Sequence, residues 1–513
     1  MKTQSTKRIP RLLSLAVVSI ALGCSGTSAQ ATDNPPNVIF FSFDDLNDWV
    51  NPMGYVQAKT PNLDRLAKQG VTFTNAHTPG TYCAPARTAI FTGRYATTTG
   101  AYQAQIYFHD HPELVPLQQS FKNAGYATYG GGKLFHHPEG CVDRRGWDEF
   151  FLRHEAQKTT GWPIHSWKPE LGDPMPERYP ASRYNQLKYD NDAAKVPGAY
   201  FLEYGPIPDS EEANMADTKR IEWACSVLER EHTQPFFLGV GIYTPHFPNY
   251  APQKYFDLYD TSEIILPELK DDDLDDLPDM IRKMKQGRKK FHHDLLDEWG
   301  LLEEAVHGYL ACVSYADAML GRVLDALEAS PYRDNTIVVI WSDHGYHQGQ
   351  KGDWGKHTLW ERTTNVPFIW SGPGISKGQS VDATVSLIDM FPTFVETCGL
   401  AEDPGLEGVS LASVLKDPSS ATDRDVLVPW LQPNAFAIIN QDWRYIHYQD
   451  GSEELYDLNN DPNEWHNLAE NPEFAAIKAE LKSSAPEEQA PAGVNKTKLK
   501  LVIEGESFRW EAQ

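Results

Sequence analysis

Short apolar runs alternate with helical stretches along the chain, and this alternation limits the folds that it can adopt. The runs Val38–Phe43, Pro235–Ile242 and Thr336–Ser342 are rich in β-branched and aromatic residues and have the length of buried strands. Between the last two, Leu301–Glu328 repeats apolar side chains every three or four positions, as a long helix does. The pattern predicts an α/β sandwich around a large, mostly parallel central sheet.

Two shorter helices are predicted after the first strand. Thr60 is placed to cap a helix that begins at Pro61 and stops at Gly70. A second helix is predicted from about Ala84 to Phe91.

The pattern changes near residue 425. Phe436–Ile439, Arg444–Tyr448 and Leu455–Tyr456 are short strand candidates separated by turns. They predict a smaller C-terminal α+β subdomain over residues 425–513, with an antiparallel sheet and a terminal helix. Residues 32–424 are expected to form the larger domain.

The chain is strongly acidic, which restricts its partners. It has 46 Lys and Arg against 71 Asp and Glu in 513 residues, a net charge of −25. This charge argues against a nucleic-acid partner. An anionic ligand would have to be held by a local cluster of positive groups against the field of the whole molecule. The acidic segment Asp271–Asp279 is expected to be a solvated loop or helix start.

The N-terminus has the pattern of a secretory signal. Four basic residues precede the apolar run Leu12–Gly23, and small residues follow as far as Ala31. Residues 1–31 are therefore predicted to be a signal peptide, and the protein to be secreted or periplasmic. An alternative is a lipoprotein box at Ala21–Cys24, which would anchor the protein through a lipid on Cys24. No segment is long and apolar enough to be a transmembrane helix.

Carboxylates follow two of the predicted strands. Asp44 and Asp45 come directly after the first strand, and Asp343 and His344 come after the strand Thr336–Ser342. Ligands of α/β sheets bind at the carboxyl ends of strands, so the two pairs could meet at one site. Their oxygen-rich chemistry would favour calcium or magnesium over zinc. Taken alone, an Asp-Asp pair after a strand is more often part of a turn or a helix cap, and a single Asp-His-Gly is common by chance.

Cys83 lies in the most informative segment, Thr81–Arg94. It could be a small buried apolar residue, as most free cysteines are. It could be a thiol nucleophile, although Arg87 is the one neighbour in sequence that could lower its pKa. It could also be the precursor of a modified residue.

The third interpretation follows from a family resemblance. The pattern Cys83-x-Pro85-x-Arg87, followed by Thr92-Gly93-Arg94, resembles the maturation signature of type I sulfatases. Further segments resemble family motifs in the same order along nearly the whole mature chain: Asn37–Asp45, Gly131–His136, Tyr243–Pro248, Ser342–Gly345, Trp354–Lys356, Leu455–Leu458, Asp461-Pro462 and Asn467-Leu468. Within the family, Gly131–His136 and Pro245–Pro248 are most similar to the iduronate 2-sulfatase branch.

The resemblance implies an alkaline-phosphatase-like fold whose catalytic domain is residues 32–424. It also implies that a maturation enzyme oxidises Cys83 to formylglycine. One hydroxyl of the hydrated aldehyde would attack sulfur, and the second would let the enzyme-bound sulfate collapse back to the aldehyde.

The implied cofactor is one Ca²⁺ per chain, and the implied substrate is a sulfated oligosaccharide or polysaccharide. By resemblance, Asp44, Asp45, Asp343, His344 and the oxygen at position 83 would hold the cation. The other implied site residues are Arg87, which would orient the nucleophile, Lys133 and Lys356, which would bind sulfate oxygens, and His136 and His246, which would act as base and acid in an order left open.

The sequence also departs from the family pattern. Ala86 stands where many relatives have Ser, and the segments Glu155–Asn214 and Leu258–Trp299 match no family motif. The alternative functions are a phosphodiester or phosphonate monoester hydrolase of the same superfamily, and a glycan-binding protein without catalytic activity.

Overall fold

The computed structural model describes residues 35–136, 141–151, 203–285, 288–504 and 507–513. The predicted signal peptide, Cys24 and most of the segment Glu155–Asn214 lie outside the described residues. The five cysteines within the described ranges are free thiols: Cys83, Cys141, Cys225, Cys312 and Cys398.

Strands are numbered here in chain order over the described residues. They are β1 Asn37–Asp44, β2 Gly70–Phe73, β3 Ala76–His77, β4 Ala127–Gly132, β5 Glu149–Phe151, β6 Tyr204–Ile207, β7 Phe236–Pro245, β8 Asn249–Pro252, β9 Thr336–Ser342, β10 His347–Gln348, β11 Trp354–Gly355, β12 Phe368–Ser371, β13 Gln379–Val381, β14 Val385–Ser386, β15 Val426–Pro429, β16 Phe436–Ile439, β17 Trp443–His447, β18 Glu453–Asp457, β19 Leu499–Glu504 and β20 Ser507–Ala512.

The α-helices of the same ranges are Pro61–Ala67, Cys83–Thr92, Ala96–Thr99, Tyr107–Asp110, Leu117–Asn123, Ala216–Leu228, Gln253–Phe256, Asp279–Lys285, Arg288–Glu298, Leu302–Ala329, Glu361–Thr364, Met390–Cys398, Ala412–Lys416 and Ala475–Ser483. None of the helices in the described part of the chain combines the length and apolar character needed to cross a bilayer.

A large sheet forms the centre of the molecule, in the order β13-β2-β12-β9-β1-β7-β4-β5. Strand β12 runs antiparallel to β2 and β9, whereas the other neighbouring strands are parallel. The central strands β1, β7 and β9 are buried along their whole length, as apolar strands covered by helices on both faces are. This confirms the predicted α/β sandwich with a mostly parallel sheet.

Alternate residues of β1 belong to two separate cores. Ile39 and Phe41 pack with the long helix Leu302–Ala329 on one face. Val38 and Phe40 pack with residues of the helix Cys83–Thr92 on the other. Because successive side chains of a strand point to opposite faces, an uninterrupted apolar run is what a doubly covered strand requires.

The helix that begins at Pro61 differs in detail from its prediction. It ends at Ala67, and Gly70 opens β2 instead of ending the helix. The side chain of Thr60 makes no capping hydrogen bond. The carboxylate of Asp317, on the long helix, accepts hydrogen bonds from the backbone N–H groups of Asn62 and Leu63 instead.

The C-terminal region contains the predicted small antiparallel sheet, in the order β15-β16-β17-β18. The terminal helix Ala475–Ser483 packs on this sheet through Leu481 and Ile477. A domain boundary at residue 425 stays a prediction. The acidic segment Asp271–Asp279 is only partly solvated, because the Asp273 side chain is buried against Lys351.

Candidate active site

Two adjacent parallel strands of the central sheet bring the predicted carboxylates together. Strands β1 and β9 pair with Phe43 opposite Ser342, so the residues that follow each strand lie side by side. The backbone N–H of Asp45 donates a hydrogen bond of 3.3 Å to Asp343 Oδ1. Asp45 has a φ of 66°, in the left-handed region that a residue with a Cβ adopts at a cost, and this sharp turn keeps Asp44 and Asp45 in one cluster.

Cys83 is the first residue of the helix Cys83–Thr92 and lies at the centre of this cluster. Its Sγ is 3.4 Å from Asp44 Oδ1 and 3.3 Å from His344 Nε2. Lys133 Nζ and Lys356 Nζ lie 3.5 Å and 3.3 Å from the same sulfur atom. Four residues at or just after the ends of four strands, β1, β4, β9 and β11, therefore surround one side chain.

Four of these residues have the arrangement of a cation site. Asp44, Asp45, Cys83 and His344 each offer one donor atom, and the four atoms lie within 4.8 Å of one another. His344 Nδ1 lies 3.0 Å from the Gly345 carbonyl oxygen, a contact that leaves the Nε2 lone pair for a ligand. The donor set fits a divalent cation, and it would fit calcium or magnesium better if position 83 carried oxygen in place of sulfur.

Asp343 lies beside this four-residue group, but its carboxylate oxygens accept hydrogen bonds from Arg87 and from the backbone. Its Oδ2 accepts a 2.8 Å hydrogen bond from Arg87 Nε, and its Oδ1 accepts from the backbone N–H groups of Asp45 and His344. His344 Nε2 is 3.5 Å from Asp343 Oδ2, so the carboxylate borders the four-residue group.

Arg87 is a fully buried link between strand ends. Besides Asp343, it donates to the carbonyl oxygens of Phe43 and Lys133 and to Ser42 Oγ. An exposed salt bridge on the helix surface, the ordinary role of a helical arginine, is therefore excluded for this side chain. Its N–H groups thus donate to the strand ends that surround Cys83. A direct hydrogen bond from Arg87 to the nucleophile stays a prediction.

The two predicted lysines each pair with one carboxylate. Lys133 Nζ is in contact with Asp44, and Lys356 Nζ is 2.5 Å from Asp45 Oδ1. Burial alone raises the pKa of Asp44, but Lys133, His246 and Lys356 outweigh it and hold this pKa well below its usual range. Burial, together with Asp44 and Asp343, raises the pKa of Asp45 to about 7. The site is thus a dense set of opposite charges in a molecule that is acidic overall.

The electrostatic surroundings make Cys83 a poor nucleophile as a thiol. Burial, reinforced by the charge of Asp44, raises the pKa of the Cys83 thiol to about 12. Only the thiolate attacks, and it is scarce at neutral pH at this pKa. Burial lowers the pKa of His344 to about 4, which keeps the imidazole neutral, as a ligand must be.

The two predicted acid–base histidines differ in position. His246 follows the end of β7, and its Nε2 lies 3.8 Å from Asp45 Oδ2 at the edge of the cluster. Its Nδ1 is 2.5 Å from the carbonyl oxygen of Phe247. His136 lies edge-on to the ring of Tyr82, with the ring centroids 5.6 Å apart.

Sequence reasoning missed Asp217, which supports the end of β7, directly before His246. Its buried carboxylate accepts hydrogen bonds from the backbone N–H groups of Tyr243 and Thr244 at the end of β7. It also pairs with the buried Arg220, whose guanidinium lies 4.9 Å from the Tyr243 ring centroid. No local pattern signals this role, because Asp217 lies on a helix that meets the strand end only in the folded chain.

Comparisons with known proteins agree with this geometry. The profile of the family described as Sulfatase matches residues 36–400, and that of N-sulphoglucosamine sulphohydrolase, C-terminal, matches residues 349–490. A sulfatase of Formosa agariphila is 36% identical over 90% of this chain and 88% of its own length. An ulvan-active sulfatase of the same organism is 28% identical, over 96% and 88%. Human iduronate 2-sulfatase is 28% identical over 76% and 74%.

Solved structures share the fold at lower identity. A 2-O GAG sulfatase has a TM-score of 0.65 at 22% identity and covers 88% of this chain and 91% of its own. A phosphonate monoester hydrolase from Silicibacter pomeroyi has a TM-score of 0.70 at 20% identity, over 93% and 99%.

The fold and the site together define a hydrolase of sulfuric esters. The chain belongs to the sulfatase family, which confirms the resemblance drawn from the Cys83 segment and from the ordered motifs. The likeness to iduronate 2-sulfatase is also found, although the Formosa agariphila sulfatase is more similar to this chain.

Proposed function

We propose that the protein removes sulfate from a sulfated carbohydrate, with formylglycine made from Cys83 and with a bound divalent cation. The observation that best supports this proposal is the set of contacts around Cys83. A side-chain atom of each of four residues lies within 3.5 Å of the Cys83 sulfur: Asp44, His344, Lys133 and Lys356. A maturation enzyme would act on the Cys83 segment before the helix is buried in the fold.

The residues around position 83 fit the charge of a sulfate monoester. The ester carries one negative charge, and its leaving oxygen needs a proton when the S–O bond breaks. Lys133 and Lys356 would bind the sulfate oxygens, since their ammonium groups flank the reacting position. Arg87 and Asp343 would keep the ends of β1 and β9 in register. These fixed charges act in a buried site, where they are worth more than in water.

The proposed cation is Ca²⁺, held by Asp44, Asp45, His344 and position 83, with Asp343 beside them. When bound, it would neutralise charge on the sulfate and favour deprotonation of the attacking hydroxyl. The aldehyde form of position 83, once hydrated, would provide that hydroxyl. The raised pKa of the thiol supports this conversion, because the unmodified side chain is badly suited to attack.

His246 is proposed as the acid that protonates the departing sugar oxygen, and His136 as the base. The 3.8 Å separation of His246 Nε2 from Asp45 Oδ2 supports a place for His246 at the reacting centre. The reverse assignment, with His136 as the acid and His246 as the base, predicts a different dependence of activity on pH. Loss of the acid should affect esters with poor leaving groups far more than activated aryl sulfates.

The names of similar proteins support the substrate class. Relatives include an ulvan-active sulfatase and iduronate 2-sulfatase, both named for sulfated carbohydrates. A uronate-containing oligosaccharide or polysaccharide is therefore the proposed substrate. An exported protein, as the N-terminal sequence predicts, would meet such a polymer outside the cytoplasm.

The test combines mass spectrometry of the peptide that contains position 83 with measurement of sulfate-ester turnover. The peptide spanning residues 81–87 is analysed after expression with a maturation system, and the thiol and one β-hydrogen should be replaced by a doubly bonded oxygen. Release of sulfate is then measured on defined sulfated oligosaccharides, with a Cys83→Ala variant as the inactive control and Cys225→Ser as a control at another free thiol.

Two results would refute the proposal. A protein that keeps its thiol in a competent host and still binds sulfated glycans would be a binding protein. A large preference for aryl phosphate or phosphonate esters over aryl sulfates would assign it to phosphorus chemistry instead.

A further inference from the structure

Lys356 is carried by a small hairpin. Strands β10 and β11 pair antiparallel, with His347 opposite Gly355, and Lys356 follows β11 directly. The hairpin tip contains Lys351, whose φ of 53° lies in the left-handed region. A residue with a Cβ keeps this conformation only where its surroundings hold it.

The surroundings of Lys351 include the acidic segment Asp271–Asp279. Lys351 Nζ lies 2.6 Å from Asp273 Oδ1 and 2.5 Å from the Glu464 carbonyl oxygen. The ammonium group is 5.2 Å from the centroid of the Trp360 ring. Lys351 and Asp273 are 4% and 5% exposed, and a buried ammonium group without its carboxylate is strongly unfavourable.

The same stretch of chain contacts the second arm of the hairpin. Lys285, the last residue of the helix Asp279–Lys285, forms a buried ion pair with Asp353, directly before β11. Trp354 Nε1 donates a hydrogen bond of 3.2 Å to His293 Nδ1. The tip and the second arm of the hairpin are thus tied to Asp273, Lys285 and His293, which lie within the segment that matches no family motif.

We propose that Asp273 and Lys285 are positioning residues that fix the hairpin and so hold Lys356 against the sulfate group. This inference depends on the proposed function, which gives Lys356 a sulfate oxygen to bind. Lysine has a long, flexible side chain, so the position of its ammonium group depends on how firmly its backbone is held. A displacement of about 1 Å at a binding group can lower a rate about a hundredfold.

The experiment compares Asp273→Asn with Asp272→Asn. Asp272 lies in the same acidic segment, but its side chain is 64% exposed and pairs with Lys270. Two quantities are measured on the metal-loaded protein: the rise in melting temperature on adding inorganic sulfate, and kcat/KM on an aryl sulfate per formylglycine-containing site. For Asp273→Asn we expect the sulfate-induced rise to be largely lost and kcat/KM to fall about ten- to a hundredfold. Asp272→Asn should match the wild type in both.

A purely structural role for Asp273 would give a different result. The variant would melt at a lower temperature, yet its folded fraction would keep the wild-type sulfate response and kcat/KM, and this result would overturn the proposal. If Asp273→Asn does not fold, Lys285→Met tests the second tie in the same way, and a wild-type sulfate response in that variant would overturn it. Absence of sulfate-ester turnover in the wild type would refute the proposed function, whereas the hairpin inference is judged by sulfate binding.

Discussion

The ammonium group of Lys356 lies 3.3 Å from the sulfur of Cys83, although the two residues are 273 positions apart in the chain. The lysine reaches the site from a hairpin, and the cysteine from the first turn of a helix. In the proposed function, both side chains would contact the same sulfate group.

Replacing Lys356 with alanine should lower kcat/KM by about a hundred- to a thousandfold, because it removes the buried charge that is proposed to stabilise the sulfuryl oxygens. Steady-state kinetics on an aryl sulfate would measure the effect. The control is Lys377→Ala, which removes an exposed lysine from the loop between β12 and β13. An active Lys356→Ala enzyme with wild-type kcat/KM would exclude Lys356 from sulfate binding.

Removal of the divalent cation should abolish turnover and lower the melting temperature. Saturating calcium at about a hundred times its dissociation constant should restore about 2.7 kcal/mol of folding free energy. Scanning calorimetry of the chelated protein, with and without added calcium, would show the change. An Asp44→Asn variant should lose the calcium response, since Asp44 belongs to the four-residue donor group. Retention of the full calcium response in that variant would place the cation elsewhere.

Asp317→Ala should destabilise the fold by about 1–3 kcal/mol, because the first backbone N–H groups of the helix Pro61–Ala67 lose their acceptor. Urea unfolding would measure this. Asp325→Ala is the matched control on the same long helix: its side chain is 68% exposed and pairs with Arg65, so about 0–1 kcal/mol is expected. Equal costs for the two variants would contradict the capping role.

The lowered pKa of Glu453 predicts that the free energy of unfolding depends on pH. Burial alone raises the pKa of its carboxyl, but hydrogen bonds from Lys478, Tyr445 and Lys482 outweigh it and lower the pKa from 4.5 to about 2. The folded-state pKa is below the unfolded one, so the contribution is present above pH 4.5 and is lost as the pH falls toward 2. Glu453→Gln should therefore cost about 1–2 kcal/mol at pH 7, after screening by solvent.

The same variant should approach wild-type stability as the pH falls through that window. Denaturant unfolding at a series of pH values would follow the difference. Glu480→Gln is the control, at an exposed carboxyl of the terminal helix that carries Lys478 and Lys482. A difference that stayed constant down to low pH would mean that the ion pairs with Lys478 and Lys482 do not account for it.

Much of the site could be predicted because its signals are local. An apolar run long enough for a strand ends in Asp44 and Asp45, and a second run ends in Asp343 and His344. Parallel strands place such ends at one edge, so a cluster could be expected before any contact was known. The motif at Cys83 likewise depends on neighbours within a few residues.

The supporting contacts could not be predicted in this way. Thr60 has the residue type of a helix cap, but Asp317 does the capping from another helix. Asp273 looked like one of several solvated acidic residues, yet it is buried against Lys351.

The alternation of the main strands and helices, the family, and the residue types around Cys83 could be read from the amino-acid sequence, because each depends on periodicity or on a short motif. Which charges meet became clear only in the folded chain: Lys133 pairs with Asp44, Lys356 with Asp45, and Asp273 with Lys351 at the hairpin tip. The pairing of buried charges depends on distances between segments that are far apart in the chain. Those distances are set only when the sheet and its covering helices pack.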